Sequence, residues 1–201
     1  SSFTDVERTT LASGAALEQL KAQLTGLTRE IPLAFSEITD IASLGAQLGI
    51  ASTELESFTK TVAQFAATTN VSTESAGTAF GALGELLDVS ASDYHRLGSA
   101  IAYVGVNSVA TESEILSMAT RLAASAANAG YSAQQVVALS GALASLRVAP
   151  ERAQGVMEVY FNRLNTAIAS GGEQLNAFAH YAGVSTGEVE ALVKTDPVGF
   201  F

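Results

Sequence analysis

Gly130-Tyr131-Ser132-Ala133-Gln134-Gln135 reads as the end of one helix and the start of the next. A glycine accepts the left-handed backbone that closes a helix. The Ser132 hydroxyl can accept from a free N–H of the following first turn. The Gln135 amide, three positions on, can accept from the cap residue's own N–H. Tyr131 between them can staple onto the new helix. Each such cap stabilises a helix by about 1 kcal/mol.

The same arrangement recurs along the chain. It stands at Val71-Ser72-Thr73-Glu74-Ser75, where the acid falls one place early, and at Val89-Ser90-Ala91-Ser92-Asp93. It stands again at Ala110-Thr111-Glu112-Ser113-Glu114 and Val184-Ser185-Thr186-Gly187-Glu188, with a looser copy in Ile50-Ala51-Ser52-Thr53-Glu54. Asn70, Gly105, Gly130 and Gly183 are the matching stops.

Apolar spacing agrees with these boundaries. Leu55, Phe58, Val62 and Phe65 share one helical face, as do Ile115, Met118, Leu122 and Ala126. So do Val136, Leu139, Leu143 and Leu146. Pro150 opens a helix with Val156, Tyr160, Leu164 and Ile168 in register, and Gly171-Gly172 ends it. Pro32 is expected to begin a helix running to about Gly45–Gly49. Asp5 to about Leu27 reads as a longer amphipathic helix.

The fold class is therefore all-α, an array of about nine or ten short antiparallel or angled helices joined by short capped turns. The expected organisation is an N-terminal amphipathic helix over 1–30, a helical core over 31–195 and the opening of a further helix over 196–201. Asp196 would cap that last helix and Pro197 suits its first position.

Composition narrows the function. Apolar residues make up 48% of the chain and charged residues 15%, enough to bury a core and too apolar for disorder. The net charge is −10. Nine acids and one base, Lys60, lie between Glu30 and Asp93; five arginines and four acids lie between His95 and Ala169. Phosphate binding needs clustered Lys and Arg, so no specific nucleic-acid binding is expected. The acidic stretch is either a solvated face or the seat of a basic partner. Cysteine is absent, so disulfides and thiolate sites are excluded. No apolar run approaches the roughly 18–20 residues that span a bilayer. The first residues lack the basic and apolar regions of a secretion signal. With the helix opening at 196–201, they are expected to belong to a longer chain.

No catalytic, cofactor-binding or metal-binding residue is assigned. His95 and His180 have no second ligand three or four positions away. Glu54, Glu56, Glu112 and Glu114 sit at helix starts, where the helix dipole accounts for them. Neither a nucleophile elbow nor a phosphate-cradling glycine loop occurs. Gly77 and Gly81 mark close packing of two helices. The chain is expected not to be an enzyme.

From about Leu44 onward the chain resembles the conserved helical core of tail tape-measure proteins from long-tailed bacteriophages. The resemblance rests on the order of several phrases. Leu48-Gly49-Ile50-Ala51 is followed by Ala66-Ala67-Thr68-Thr69-Asn70-Val71-Ser72, then by Leu97-Gly98-Ser99-Ala100-Ile101. Next come Ala110-Thr111-Glu112-Ser113-Glu114-Ile115 and Val148-Ala149-Pro150-Glu151-Arg152-Ala153. Phe178-Ala179-His180-Tyr181-Ala182-Gly183-Val184-Ser185 and Asp196-Pro197 close the series. Arg147 departs from the pattern, at a turn position where glycine is expected.

The resemblance implies a protein of the tail lumen that sets tail length and is ejected ahead of DNA. It would work with tail-tube protein, tail-tip or baseplate hub proteins and assembly chaperones. It would self-associate, form in the host cytoplasm and contact the host membrane on ejection. It implies no catalytic residues or cofactors in this region. A ruler needs a continuous rod, rising about 1.5 Å per residue. A chain interrupted every 15–20 residues or so is better read as a folded docking part of such a protein. A membrane-active helical module is the alternative reading, and a hydrolase domain ranks last.

Overall fold

The structure, a computed structural model, describes residues 2–10 and 14–196. The further helix expected to open over 196–201 lies outside them but for Asp196. The described residues form eleven α-helices, one 3-10 turn and no strand. The helices are α1 (Ser2–Thr9), α2 (Ala15–Glu30), α3 (Phe35–Gln47), α4 (Leu55–Thr68), α5 (Thr73–Leu86) and α6 (Tyr94–Val106). There follow α7 (Glu112–Asn128), α8 (Ala133–Ser145), α9 (Pro150–Ser170), α10 (Gly172–Ala182) and α11 (Thr186–Thr195). The 3-10 turn, Ala91–Asp93, leads into α6.

Packing follows a simple rule. α1, α3, α5, α7 and α9 touch in succession and form one row; α2, α4, α6 and α8 touch in succession and form a second. The rows meet where α3 packs on α2 and α4, and where α7 packs on α6 and α8. Each helix thus contacts its near neighbours, the pattern of a two-row helical solenoid. α10 rests on α9 and pairs with α11.

The turns account for the angles between helices. After α3, α5, α7, α8 and α10 the backbone enters the left-handed region at Gly49, Asp88, Gly130, Arg147 and Gly183. The next N–H then reaches back to the last full turn. Ile50, Val89 and Val184 donate to Gly45, Gly84 and Ala179 at 3.0 Å each, Tyr131 to Ala126 at 3.0 Å and Val148 to Leu143 at 3.2 Å. This is the Schellman closure, which satisfies carbonyls the helix would leave bare. Arg147, the departure noted in the sequence, adopts φ 58° and makes the same turn that glycine makes elsewhere.

Caps follow at once. Ser75 N donates to Ser72 Oγ at 3.2 Å. Glu114 N donates to Thr111 Oγ1 at 3.2 Å while Thr111 N donates to Glu114 Oε2 at 2.8 Å. Ser132 and Gln135 exchange the equivalent pair, at 2.8 and 3.4 Å. Ser185 N donates to Glu188 Oε2 at 2.9 Å. Ser90 opens the 3-10 turn, its hydroxyl donating to Asp93 Oδ2 at 2.7 Å.

Several expected boundaries move, each for a local reason. The single helix over 5–27 is two helices, with Gly14 at φ 57°, ψ −129°, so that α1 packs on α3. Pro32 lies in a turn, because Ala34 is the cap and its N–H donates to the Glu37 carboxylate at 2.8 Å. Ser52 is not a cap; Glu54 occupies that position. Asn70 does not close α4. The Thr69 hydroxyl donates to Phe65 O at 2.8 Å and does so instead. Gly105 stays helical, pressed against Glu112.

Small residues set the helix separation. A Cβ on Gly77 would come within 2.7 Å of Leu44 Cδ2, and one on Gly81 would strike Leu48. The four-residue ridge of α3 therefore drops into the four-residue groove of α5. Val104 seats against Gly141 in the same way between α6 and α8. Phe58, Phe80 and Phe161 fill the wider spaces and are fully buried.

Candidate interaction surface

The sequence marks few side chains with chemistry, and the fold scatters them. His95 is exposed on α6, at the edge of a cavity of about 410 Å³ between α4 and α6, lined also by Ile31, Thr61, Phe65 and Ser99. His180 is exposed on α10, its ring 6.0 Å from that of Tyr181. Among the described residues no three His, Asp or Glu side chains are grouped to hold a metal ion.

The carboxylates serve the frame. Glu56 accepts from the Gln23 amide and links α4 to α2. Glu30 pairs at 2.7 Å with Lys60, the single base of the acidic stretch, and that hydrogen bond raises the Lys60 ammonium pKa. Glu114 is held below the usual carboxylate value by the Thr111 N–H, then by the Thr111 hydroxyl and Arg147. Glu188 is lowered by the Ser185 hydroxyl and N–H. Both shifts favour the charged form, the direction opposite to that of a general acid at neutral pH.

What remains is surface. Asp40, Glu54, Glu74, Glu85 and Asp88 are exposed on or beside α3, α4 and α5, so much of the acidic stretch is solvated. A second feature lies at the ends of α6 and α8. Tyr103 (70% exposed), Val106 (80%), Val109 (67%) and Leu146 (74%) all stand in solvent. Arg147 Nη2 lies 3.5 Å from the Val109 carbonyl and draws the two turns together. Periodicity puts Leu146 on the buried face of its helix. It falls past the helix end as the C-cap and points outward instead.

The sequence carries a signal for this edge that periodicity overlooks. No charged residue occurs from Leu97 to Thr111 or from Leu122 to Leu146. Those segments bring no charge of their own to the edge, where Arg147 is paired with Glu114, and large exposed apolar groups clustered there mark contact with another body.

A family profile described as phage-related minor tail protein matches residues 6–199. The match begins well before Leu44, where the sequence resemblance becomes legible. No curated protein and no solved structure matches the chain.

Proposed function

The chain belongs to the phage-related minor tail protein family, and on that premise we propose that it is the folded helical part of a tape measure. Membership makes it a structural tail component of the virion that acts with other tail components. The finer reading is ours. In it the full protein lies in the tail lumen, sets tail length during assembly in the host cytoplasm and leaves ahead of the DNA. Its partners are the tail-tube protein, the tip or baseplate hub proteins, the assembly chaperones and further copies of itself. Residues 31–195 form the docking core and residues 1–30 lead into it.

One observation carries this reading. The helices are short and stacked side by side in two rows, so the chain does not run as one continuous rod. Such a stack spends its length on building surface. A ruler spends its length on distance. The exposed acids of α3–α5 and the apolar edge at Tyr103, Val106, Val109 and Leu146 are surfaces it offers.

Electron microscopy of phage tails tests the reading, using an in-frame deletion of this chain from the full-length protein. The expected result is defective assembly or infection with any tails keeping their length. Shortening by roughly 300 Å, the length of 201 residues of continuous helix, would make this segment part of the ruler. Normal tails with normal infectivity would remove the docking role.

The exposed apolar edge also favours a second reading, a module that acts on the host envelope. No helix of the described residues is long and apolar enough to cross a membrane, so it would act at the bilayer surface. Dye release from liposomes would support it, and intact liposomes would leave the docking reading alone.

A further inference from the structure

α9 and α10 meet at Gly171-Gly172. Gly171 stands at φ 69°, ψ −152° and Gly172 at φ 79°, conformations that only glycine adopts without strain. Beyond this point the packing thins. From Gly171 to Asp196 only Ala179, Val189 and Val193 are buried among the described residues, whereas α7 alone buries seven side chains. The hairpin α10–α11 packs on itself and, through α10, on α9. Phe178 meets Tyr160 of α9 edge-on, with centroids 5.8 Å apart. Leu175 of α10 and Ile168 of α9 are only partly buried.

Tyr160 is the pivot of this arrangement. Its other side touches Phe161, at 5.8 Å, and Phe161 in turn packs on Tyr131 of the α7–α8 turn at 4.9 Å. That second arm belongs to the main stack. α9 therefore has two apolar sides, one packed on α7 and one facing the hairpin.

We propose that α10–α11 is an opening unit, hinged at Gly171-Gly172, which leaves α9 before the rest of the stack unfolds. Helices of ten or eleven residues are marginal without tertiary support. Once detached, the hairpin loses its helices, and the side of α9 that carries Tyr160 loses the cover of Phe178. The end of the stack then has two states, closed by its own hairpin or open with an apolar strip, as in other order–disorder switches.

The chain has no tryptophan, so Phe178→Trp places one reporter on the contact. In a urea titration, the tryptophan signal is expected to change well before the far-UV circular dichroism of the whole chain. Hydrogen exchange on the unaltered chain is expected to be at least about tenfold faster in α10 and α11 than in α7 and α8. Gly171→Ala and Gly172→Ala strain the closed hinge. They are expected to move the tryptophan transition to lower urea while the main transition stays in place. Coincident transitions would overturn the proposal. So would equal hydrogen-exchange protection, including where Phe178→Trp fails to fold. Glycine variants that shift both transitions by the same amount would overturn it as well.

Discussion

Arg147 and Glu114, 33 residues apart, meet at 3.1 Å between Nη1 and Oε1. The other oxygen of that carboxylate accepts from the Thr111 N–H at 2.8 Å and the Thr111 hydroxyl at 3.1 Å. One carboxylate therefore starts α7 and holds the end of α8. Arg147 reaches it from a left-handed backbone, φ 58°, that costs a non-glycine residue about 1 kcal/mol.

Two opposing effects at Arg147 can be separated. Arg147→Gly relieves the backbone and loses an exposed ion pair that contributes about 0–1 kcal/mol. Its stability is expected to stay within about 1 kcal/mol of the parent. Arg147→Ala keeps the strain and loses the pair, so it should be less stable than the glycine variant by about 1 kcal/mol. Urea denaturation measures both, and an alanine variant as stable as the glycine variant contradicts the account.

The lowered carboxyls of Glu114 and Glu188 give the stack an acid limit. Their folded pKa values lie below the usual 4.5, so their contribution is fully present above pH 4.5. It is lost as pH falls through the folded values. Melting temperature is expected to fall on acidification through this window, and to fall less steeply in Thr111→Ala and Ser185→Ala. The same slope in the variants and the parent would contradict the assignment.

Burial sets an alkaline limit as well. Tyr131 is 4% exposed, and its hydroxyl, which has no hydrogen-bond partner, is pushed up to about 12 by desolvation. Stability is expected to hold below pH 10, the usual tyrosine value, and to decline from there toward pH 12. The Tyr160 hydroxyl is raised too, first by burial and then by Tyr131. Tyr131→Phe removes a buried, unsatisfied hydroxyl. It is expected to be neutral or stabilising by about 1 kcal/mol at pH 7, with a shallower alkaline decline. A loss of more than about 1 kcal/mol at neutral pH would show a partner the geometry lacks.

Glycine to alanine should change sign between two helices. At Gly26 in α2 a Cβ meets nothing within 4 Å, so Gly26→Ala should stabilise by about 0.5–1 kcal/mol through helix propensity. At Gly45 in α3 a Cβ would lie 2.8 Å from the ring of Phe58, which is fully buried. Gly45→Ala is expected to destabilise by about 1–3 kcal/mol. Thermal melts of the two variants check the pair, and a stabilised Gly45→Ala would mean that α3 and α4 are less tightly packed.

Helix starts were legible because a cap is a local event: Thr111 and Glu114, or Ser132 and Gln135, need only each other. Stops were less so. Thr69 ends α4 with its hydroxyl, and no glycine marks the place. Facing was the weakest point. Periodicity puts Val156, Tyr160, Leu164 and Ile168 on one side of α9, yet Val156 is 61% exposed. The buried stripe is Ala153, Met157, Phe161, Leu164 and Ala167, while Tyr160 meets Phe178 of α10 and Ile168 is only partly buried. A helix covered on two sides has no single apolar face for periodicity to find. The two-row order was illegible for the same reason, since it depends on which face each helix gives to its second neighbour. The apolar edge was written in the missing charges of Leu97–Thr111 and Leu122–Leu146, a signal carried by absence.

Small-angle X-ray scattering of the chain, with circular dichroism to verify its helix content, tests the central claim most directly. A two-row stack of short helices should give a strongly helical spectrum with a radius of gyration of about 17–20 Å. The same helix content with the scattering of a thin rod roughly 300 Å long would contradict it and return the chain to the role of ruler.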